Sequence, residues 1–288
     1  MKGIILAAGK GTRLSPATFP ISKILLPVYD RPMIYYPLST LMMAGIKEIL
    51  IITNESDLPN FKRTLGDGSQ FGISIQYTIQ YVQRGISDAF LIAEDFIDGN
   101  RVCLILGDNI FYSPGIEGPL EKASASDVPA LVFGYRVHDP ERFGVVEFDK
   151  GMNVLSLEEK PKNPKSNYAV VGLYFYDGRS SEMAKKLTPS ARGELEITDL
   201  NKLYLEEDGL QVALLDDDTD WFDAGTSEAL LQSSQFIYDE EKRVGKKILC
   251  PETIAYRKGF ITKDQLVQWL DSNKDNEYFG AIRKETGC

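Results

Sequence analysis

Residues 3–8 form a continuous apolar run, Gly-Ile-Ile-Leu-Ala-Ala, that passes directly into Gly9-Lys10-Gly11-Thr12-Arg13-Leu14. A short apolar run bounded by glycine is the pattern of a strand buried on both faces. Glycines directly after it free the backbone to turn tightly and to present N–H groups to an anion. This junction narrows the fold to an α/β sheet with a ligand loop at its carboxyl edge. A Walker loop needs a Gly-Lys-Ser/Thr ending after four spacers, and that ending is absent. A dinucleotide fingerprint needs a third small residue where Leu14 stands and a helix immediately after. Asp30 falls where that pattern expects an acidic residue, but Pro16 and Pro20 occupy the would-be helix interior, at about 3 kcal/mol each. There remains an irregular loop with its own cations, Lys10 and Arg13, followed by Lys23 in Ser22-Lys23-Ile24-Leu25-Leu26-Pro27. Triphosphate binding and a plain glycine turn with solvated basic residues are both open readings. Arg13 and Lys23 flanking one loop in an acidic chain favour the first.

Apolar runs at 49–53 and 102–106 repeat the buried-strand pattern. Helical spacing fills the intervals: 33–44, stopping at Gly45, and 87–96, with Ser87 as an N-cap. After Ala130 the pattern shifts to strands, at 131–135, 145–148, 154–157 and 168–176, which implies a mixed or antiparallel portion in the sheet. Helical spacing returns at 195–207, a further strand is expected at 211–215, and helices at 229–244 and 262–270 follow. Thr262 and Gln265 form a capping box for the last. We therefore expect a catalytic domain over 1–226, with a nucleotide-binding part over about 1–130 and a second part over about 131–226. A helical appendage over 227–288 would serve assembly or regulation.

Composition excludes several classes of function. The 32 Lys and Arg against 42 Asp and Glu give a net charge of −10, which argues against a sequence-independent grip on nucleic acid. No apolar run approaches the roughly 18 to 20 residues of a membrane span, and residues 1–8 are too short for a signal-peptide core, so a cytoplasmic location is expected. Cys103, Cys250 and Cys288 are widely spaced and lack a Cys-x-x-Cys pattern, which reads as reduced thiols. His138 is the one histidine. It lies in a polar turn, so chemistry must rest on carboxylates, lysines, arginines and backbone amides.

Two carboxylates stand out by position. Asp108 follows the 102–106 strand, at the carboxyl end where ligands bind in open α/β sheets. Asp223 sits between aromatics and a glycine turn just before a helix. Two oxygen ligands plus substrate phosphates suit Mg²⁺. Taken singly, Asp108 reads better as a turn residue and Asp223 as an N-terminal helix partner, and spacing alone cannot unite residues more than a hundred positions apart. The run of Asp216, Asp217, Asp218 and Asp220 reads as a solvated face. Lys160, past a short strand, adds a candidate phosphate contact, although on its own a charge at a hairpin end is the better reading. Because a phosphate monoester is ionised at pH 7 and needs no general base, nucleotidyl transfer onto a sugar phosphate fits this inventory better than kinase or hydrolase chemistry.

The segment Gly9-Lys10-Gly11-Thr12-Arg13-Leu14 with Lys23 in Lys-Ile-Leu-Leu-Pro resembles the signature of the sugar-phosphate nucleotidylyltransferases. Further segments resemble the glucose-1-phosphate thymidylyltransferases within that family. They are Arg31-Pro32-Met33-Ile34-Tyr35-Tyr36-Pro37-Leu38, Leu106-Gly107-Asp108-Asn109-Ile110-Phe111-Tyr112, and Asp139-Pro140-Glu141-Arg142-Phe143-Gly144-Val145-Val146. Lys165-Ser166-Asn167-Tyr168-Ala169-Val170 and the stretch from Pro189 to Asp199 complete the set, and the likeness runs from Met1 to about Phe260.

The resemblance implies a Rossmann-like three-layer α/β nucleotidyltransferase fold with a mixed, mostly parallel central sheet and a helical C-terminal appendage. It implies Mg²⁺-dependent transfer of a thymidylyl group from dTTP to glucose 1-phosphate, the first step of dTDP-rhamnose synthesis. Leu6, Ala8, Gly9, Gly11, Thr12 and Arg13 would bind the nucleotide phosphates, and Lys23 would neutralise charge at the attacked phosphorus. Gln80 and Gly85 would read the base. Asp108 and Asp223 would be the Mg²⁺ ligands. Gly144, Glu159, Lys160, Val170 and Arg192 would form the sugar-phosphate pocket. The tail resembles that of longer members that assemble as homotetramers, dimers of dimers, and bind nucleotide product at a second site, to which Arg257 and Lys258 would contribute. The chain departs from the family pattern at Ala8 and Lys10 in the loop, at Phe143 where tyrosine is common, and at Asp88 where glutamine is usual. A relative using UTP or another base, and a catalytically silent sugar-nucleotide sensor, are the alternatives. A sensor would be expected to lack Asp108, Asp223 or Arg13.

Overall fold

The computed structural model describes residues 1–273 and 276–288. Among the described residues the centre is a nine-stranded mixed sheet. Lys2–Leu6 lies in its middle, with Glu48–Thr53 on one side and Val102–Leu106 on the other, both parallel to it. Ser74–Ile79 extends the first side, again in parallel. On the second side Tyr168–Tyr176 runs antiparallel to Val102–Leu106 and pairs through Ala169 with Val145 of Gly144–Phe148. Its other edge carries Ala130–Arg136, which pairs in parallel with Leu210–Leu214. Val154–Glu159 closes the far edge against Gly144–Phe148. The first half of the chain thus builds most of the parallel part, Leu210–Leu214 adds a parallel pair in the second half, and the antiparallel pairing expected after Ala130 centres on one long strand.

Successive residues of a strand point to opposite faces, and here both faces are covered. Ile5, Ala7, Ile49 and Ile51 enter one core; Ile4, Ala8, Leu50 and Ile52 enter the other. Tyr35–Met43, Leu58–Leu65 and Glu117–Ala125 pack on the first face. Asp88–Ile92, Glu94–Ile97, Ser180–Lys185 and Ile197–Glu206 pack on the second. This is the three-layer arrangement expected. Each fully buried aliphatic or aromatic side chain contributes about 1.5–3 kcal/mol.

Some local expectations need correction. The helix expected over 87–96 is two short helices separated at Ala93, and Ser87 does not cap it: its backbone is helical, and its hydroxyl donates to the Glu196 carbonyl at 3.0 Å. The Thr262–Gln265 capping box is present at Lys263–Ser272. The long helix of the tail, Ser227–Val244, starts two residues before the expected 229, because the Thr226 hydroxyl accepts from Ala229 N. Pro251–Arg257 and Glu277–Thr286 are additional helices.

Apolar residues of the tail, among them Ile237, Ile254, Leu266, Leu270 and Ile282, belong to the same core as Ile5 and Met42. A buried ionic knot joins the tail to the start of the chain. Arg31, 2% exposed, donates to Glu241 Oε1 and to the Ile248 carbonyl, both at 2.6 Å, and to Asp30 at 2.9 Å. Lys247 completes it, pairing with Asp30 and, at 2.7 Å, with Glu241. All three cysteines are free thiols, as expected.

Candidate active site

The loop after Lys2–Leu6 is shaped by two close approaches. Gly11 has φ 63°, and a Cβ there would stand 2.9 Å from Thr18 Cγ2; the Thr18 hydroxyl donates to the Gly11 carbonyl at 2.9 Å. A Cβ on Gly9 would lie 3.4 Å from Lys23 Cε, so the loop backbone runs along the Lys23 side chain. Pro16 and Pro20 lie outside any α-helix, and Thr12–Leu14 is a single 3₁₀ turn. A second 3₁₀ turn, Lys23–Leu25, starts under the Ser22 hydroxyl and directs Lys23 to an ion pair with Asp108.

Asp108 and Asp223 come together through backbone pairing. Asn109–Tyr112 and Asp220–Asp223 form an antiparallel ladder in which Asp223 faces Asn109. The Ala224 N–H then donates to the Asp108 carbonyl at 2.9 Å. Asn109 holds the corner: its Nδ2 donates to Asp108 Oδ1 at 3.2 Å, while its Oδ1 accepts from Trp221 Nε1 at 2.8 Å and from Gly172 N at 3.2 Å. Arg13 reaches the same place, with Nη2 2.6 Å from where a Cβ on Gly225 would stand. Burial raises the pKa of Asp223, the charge of Asp108 raises it further, and Arg13 and Lys23 act against both. Among the described residues no group of three or more His, Cys, Asp or Glu side chains is placed to hold a metal ion. Two carboxylates alone would leave most of a cation's shell to other oxygens. Asp216, Asp217 and Asp218 are exposed and His138 lies at the surface, in line with their exclusion from the site.

A cavity of about 280 Å³ opens beside the pair and is lined by Arg13, Gly144, Glu159, Lys160, Val170, Arg192 and Asp223. Glu159 is held at both oxygens, by Thr198 Oγ1 at 2.6 Å and by Arg192 Nη2 at 3.3 Å. Arg192 is anchored in turn by Glu196, at 2.9 and 3.2 Å. Lys160 adopts φ 44°, rare for a residue with a side chain, and its N–H donates to the Phe143 carbonyl at 2.9 Å. Its ammonium is half-exposed and 3.8 Å from Glu159. Gly144 is required for fit, since a Cβ there would stand 2.9 Å from the Thr198 hydroxyl. Phe143 packs on Trp221, ring centroids 5.3 Å apart.

Gln80 and Gly85 lie outside this cavity, beyond the carboxyl end of Ser74–Ile79. Gln80 is buried; its N–H donates to the Thr53 carbonyl at 2.9 Å and its Nε2 to Asp88 Oδ2 at 2.9 Å. Gln83 donates to the Ala8 carbonyl, tying this end to the glycine loop. Gly85 has φ 103°, and a Cβ there would stand 2.5 Å from the Leu195 carbonyl oxygen. The Arg84 carbonyl accepts from Leu195 N at 2.6 Å, so the Gln80 end and the Arg192–Thr198 segment share a backbone seam. Arg257 and Lys258 are paired with Glu117 and, for Lys258, Glu121, within the tail's contact with Glu117–Ala125. Asn109, Glu196 and Thr198 lie in segments that carry the family resemblance, but no role follows for them from sequence alone; Gln83 carries no signal at all.

Comparison with known proteins bears on this geometry. Residues 2–240 match the family model described as nucleotidyl transferase. The chain belongs to the nucleotidyl transferase family. It is 56% identical over 263 residues, 91% of each chain, to a glucose-1-phosphate thymidylyltransferase of Neisseria gonorrhoeae. A crystal structure of a Bacillus anthracis protein described as a glucose-1-phosphate thymidylyltransferase, in complex with sucrose, is 43% identical. It superposes with a TM-score of 0.76 over 82% of this chain and 94% of that one. A UDP-glucose pyrophosphorylase bound to UDP-glucose shares the fold at 24% identity, with a TM-score of 0.73 over 83% of this chain and 98% of that one. The family resemblance and the fold expected from the sequence are borne out. No helix among the described residues is long and apolar enough to cross a membrane.

Proposed function

We propose that this nucleotidyl transferase moves a thymidylyl group from dTTP to α-D-glucose 1-phosphate, releasing pyrophosphate and giving dTDP-glucose. The observation that carries the reading is the convergence of Asp108 and Asp223 between the loop cations and the Glu159–Arg192 cavity. In this reading the triphosphate lies along the loop from Leu6 through Ala8, Gly9, Gly11 and Thr12 to Arg13. The base reaches Gln80 and Gly85 along the carboxyl edge of the parallel strands, the place where open α/β sheets bind nucleotides. The glucose hydroxyls meet Glu159, and Gly144 and Val170 floor the pocket. Lys160 and Arg192 hold the sugar phosphate.

A phosphate oxygen of the sugar attacks the α-phosphorus, a new P–O bond forms in line, and the bond to the bridging oxygen breaks. No base is required, since a phosphate monoester is largely doubly ionised at pH 7. Lys23 and Arg13 offset the charge that spreads over the phosphoryl oxygens. The pair of oxygen donors fits Mg²⁺: Asp108 and Asp223 would hold it, and two neighbouring carboxylates with one pKa raised favour a cation between them. Bound Mg²⁺ supplies Lewis-acid neutralisation of the phosphate oxygens.

A cytoplasmic location accords with consumption of a nucleoside triphosphate. Assembly as a homotetramer, a dimer of dimers, is supported by Leu231 and Tyr238, exposed seven residues apart on one face of Ser227–Val244. Light scattering of the purified protein tests the assembly. Pyrophosphate release, measured with Mg²⁺ over dTTP, dCTP, dGTP, dATP and UTP against glucose 1-phosphate, tests the activity. Release with dTTP is expected; none from any pairing would overturn the reading.

A further inference from the structure

We propose that Arg31 is a positioning residue for the reaction: through the hairpin of Pro27–Val28 and Arg31–Pro32 it holds Lys23 in place, so that the C-terminal segment sets the turnover rate. This rests on the reading above that Lys23 offsets charge at the attacked phosphorus.

The base of the hairpin grips the carboxylate corner. Lys23 pairs with Asp108, and both side chains are largely buried. The next residue, Ile24, is fully enclosed, and a Cβ on Gly107 would stand 3.1 Å from its Cδ1 and Cγ2 and 3.0 Å from the Leu6 carbonyl oxygen. Lys23-Ile24 thus lies directly against Gly107-Asp108. The Ser22 N–H donates to Asp57 Oδ1 at 2.9 Å, which fixes the start of the turn.

From there to Arg31 the backbone is a continuous ladder. The carbonyls of Ile24, Leu26 and Val28 accept from Ile34 N at 2.9 Å, Met33 N at 2.9 Å and the Tyr36 hydroxyl at 2.7 Å. Pro27 faces Pro32 and Val28 faces Arg31, and each proline ring locks its own φ. A segment so constrained bends little, so displacement of its tip is passed to its base.

The tip is held by the C-terminal segment. Tyr29 has φ 57°, which disfavours any residue with a side chain. Such a conformation persists only where the surroundings over-determine it. Here the Tyr29 N–H donates to Ser234 Oγ at 3.2 Å, and its ring meets that of Tyr238 edge-on, centroids 5.4 Å apart. The Lys247 ammonium lies 5.1 Å from the same ring. Arg31 ties Asp30 to Glu241 and the Ile248 carbonyl, and its guanidinium lies 5.0 Å from the Tyr36 ring and 5.7 Å from that of Tyr278. Without that guanidinium the tip relaxes out of the strained conformation, and the shift reaches Lys23. Misplacement of a group at a reacting centre by about 1 Å costs up to about 10²-fold in rate.

The test measures kcat with dTTP, and KM for glucose 1-phosphate, with Mg²⁺ at a temperature where each variant is folded. The proteins are the unaltered chain, Arg31→Gln, Ser234→Ala, Lys23→Met, and the first two variants each combined with Lys23→Met. Arg31→Gln and Ser234→Ala are expected to lower kcat roughly three- to tenfold, with KM for glucose 1-phosphate unchanged. In the Lys23→Met background neither should lower kcat further, because no ammonium is left to misplace. Equal losses with and without Lys23 overturn the proposal, since a general weakening of the fold acts in both backgrounds. A matching rise in KM for glucose 1-phosphate overturns it as well, and so does an unchanged kcat in Arg31→Gln. Should Arg31→Gln not fold, Ser234→Ala, altered at a half-buried helix position, decides by the same criteria. Full kcat in Lys23→Met overturns the reading of Lys23 itself, a failure distinct from that of Arg31 alone.

Discussion

Asp223 stands across a two-strand ladder from the residue after Asp108, and the negative charge of Asp108 adds to burial in raising the pKa of Asp223. A carboxyl whose pKa rises on folding opposes folding when ionised. The penalty is absent below its unfolded value and complete once pH has passed through the raised one. Asp223→Asn is therefore expected to raise Tm at pH 7 and to leave Tm at pH 3 nearly unchanged. The same variant should lower kcat by about 10²- to 10³-fold. Thermal melts at the two pH values, paired with pyrophosphate release, check both halves.

Lys23 holds Asp108, and Arg13 lies against Gly225 and Asp223. In the proposed reaction each cation would offset charge that develops on the transferring phosphoryl group, so Lys23→Met and Arg13→Gln should each cost about 10²-fold in kcat/KM for dTTP. Loss in KM alone, with kcat intact, would mean that the contact is equally strong in the ground state.

If Asp108 and Asp223 hold Mg²⁺ as proposed, removal of divalent ions with EDTA should abolish turnover and excess Mg²⁺ should restore it, since two carboxylates would leave most of the ion's shell to substrate and water. Asp108→Asn should require more Mg²⁺ for half-maximal rate. Titration of activity against Mg²⁺ in the two proteins reads this directly.

Gly85→Ala brings a methyl group to 2.5 Å from the Leu195 carbonyl oxygen at φ 103°. Since the seam joins the Gln80 end to the Arg192–Thr198 segment, this one methyl should raise KM for both dTTP and glucose 1-phosphate, and destabilise the fold by about 1–3 kcal/mol. A rise confined to one substrate would mean that the seam does not couple the two ends.

Arg31→Met leaves buried Glu241 and Lys247, and the partly exposed Asp30, without their fourth member. A loss of about 3 kcal/mol is expected, which denaturant unfolding would record as a lower midpoint with an unchanged slope.

The sequence made the central strands and the glycine loop legible, because their signals are local: an apolar run, two glycines, two prolines that forbid a helix. The proximity of Asp108 and Asp223 is not legible from spacing, and only the family resemblance implies it. It is set by backbone hydrogen bonds between Asn109–Tyr112 and Asp220–Asp223, two four-residue strands, and a ladder that short leaves no periodicity to read. The Ser87 cap failed for a related reason. Serine before a helical pattern is a cap by default, but here the hydroxyl is drawn to Glu196, more than a hundred positions away. The family resemblance named Glu159 and Arg192; it did not show that Thr198 and Glu196 hold them in place.

The knot at Arg31 also bears on how such chains vary in length. Its guanidinium sits in the first ninth of the polypeptide, yet two of its acceptors, Glu241 and the Ile248 carbonyl, arrive only in the last sixth. Shortening the polypeptide before those acceptors would strand a positive charge in an oily interior. Arg31 and the segment that carries Glu241 and Ile248 are thus coupled in stability, and a shortened variant should tolerate an apolar residue at position 31 better than the arginine.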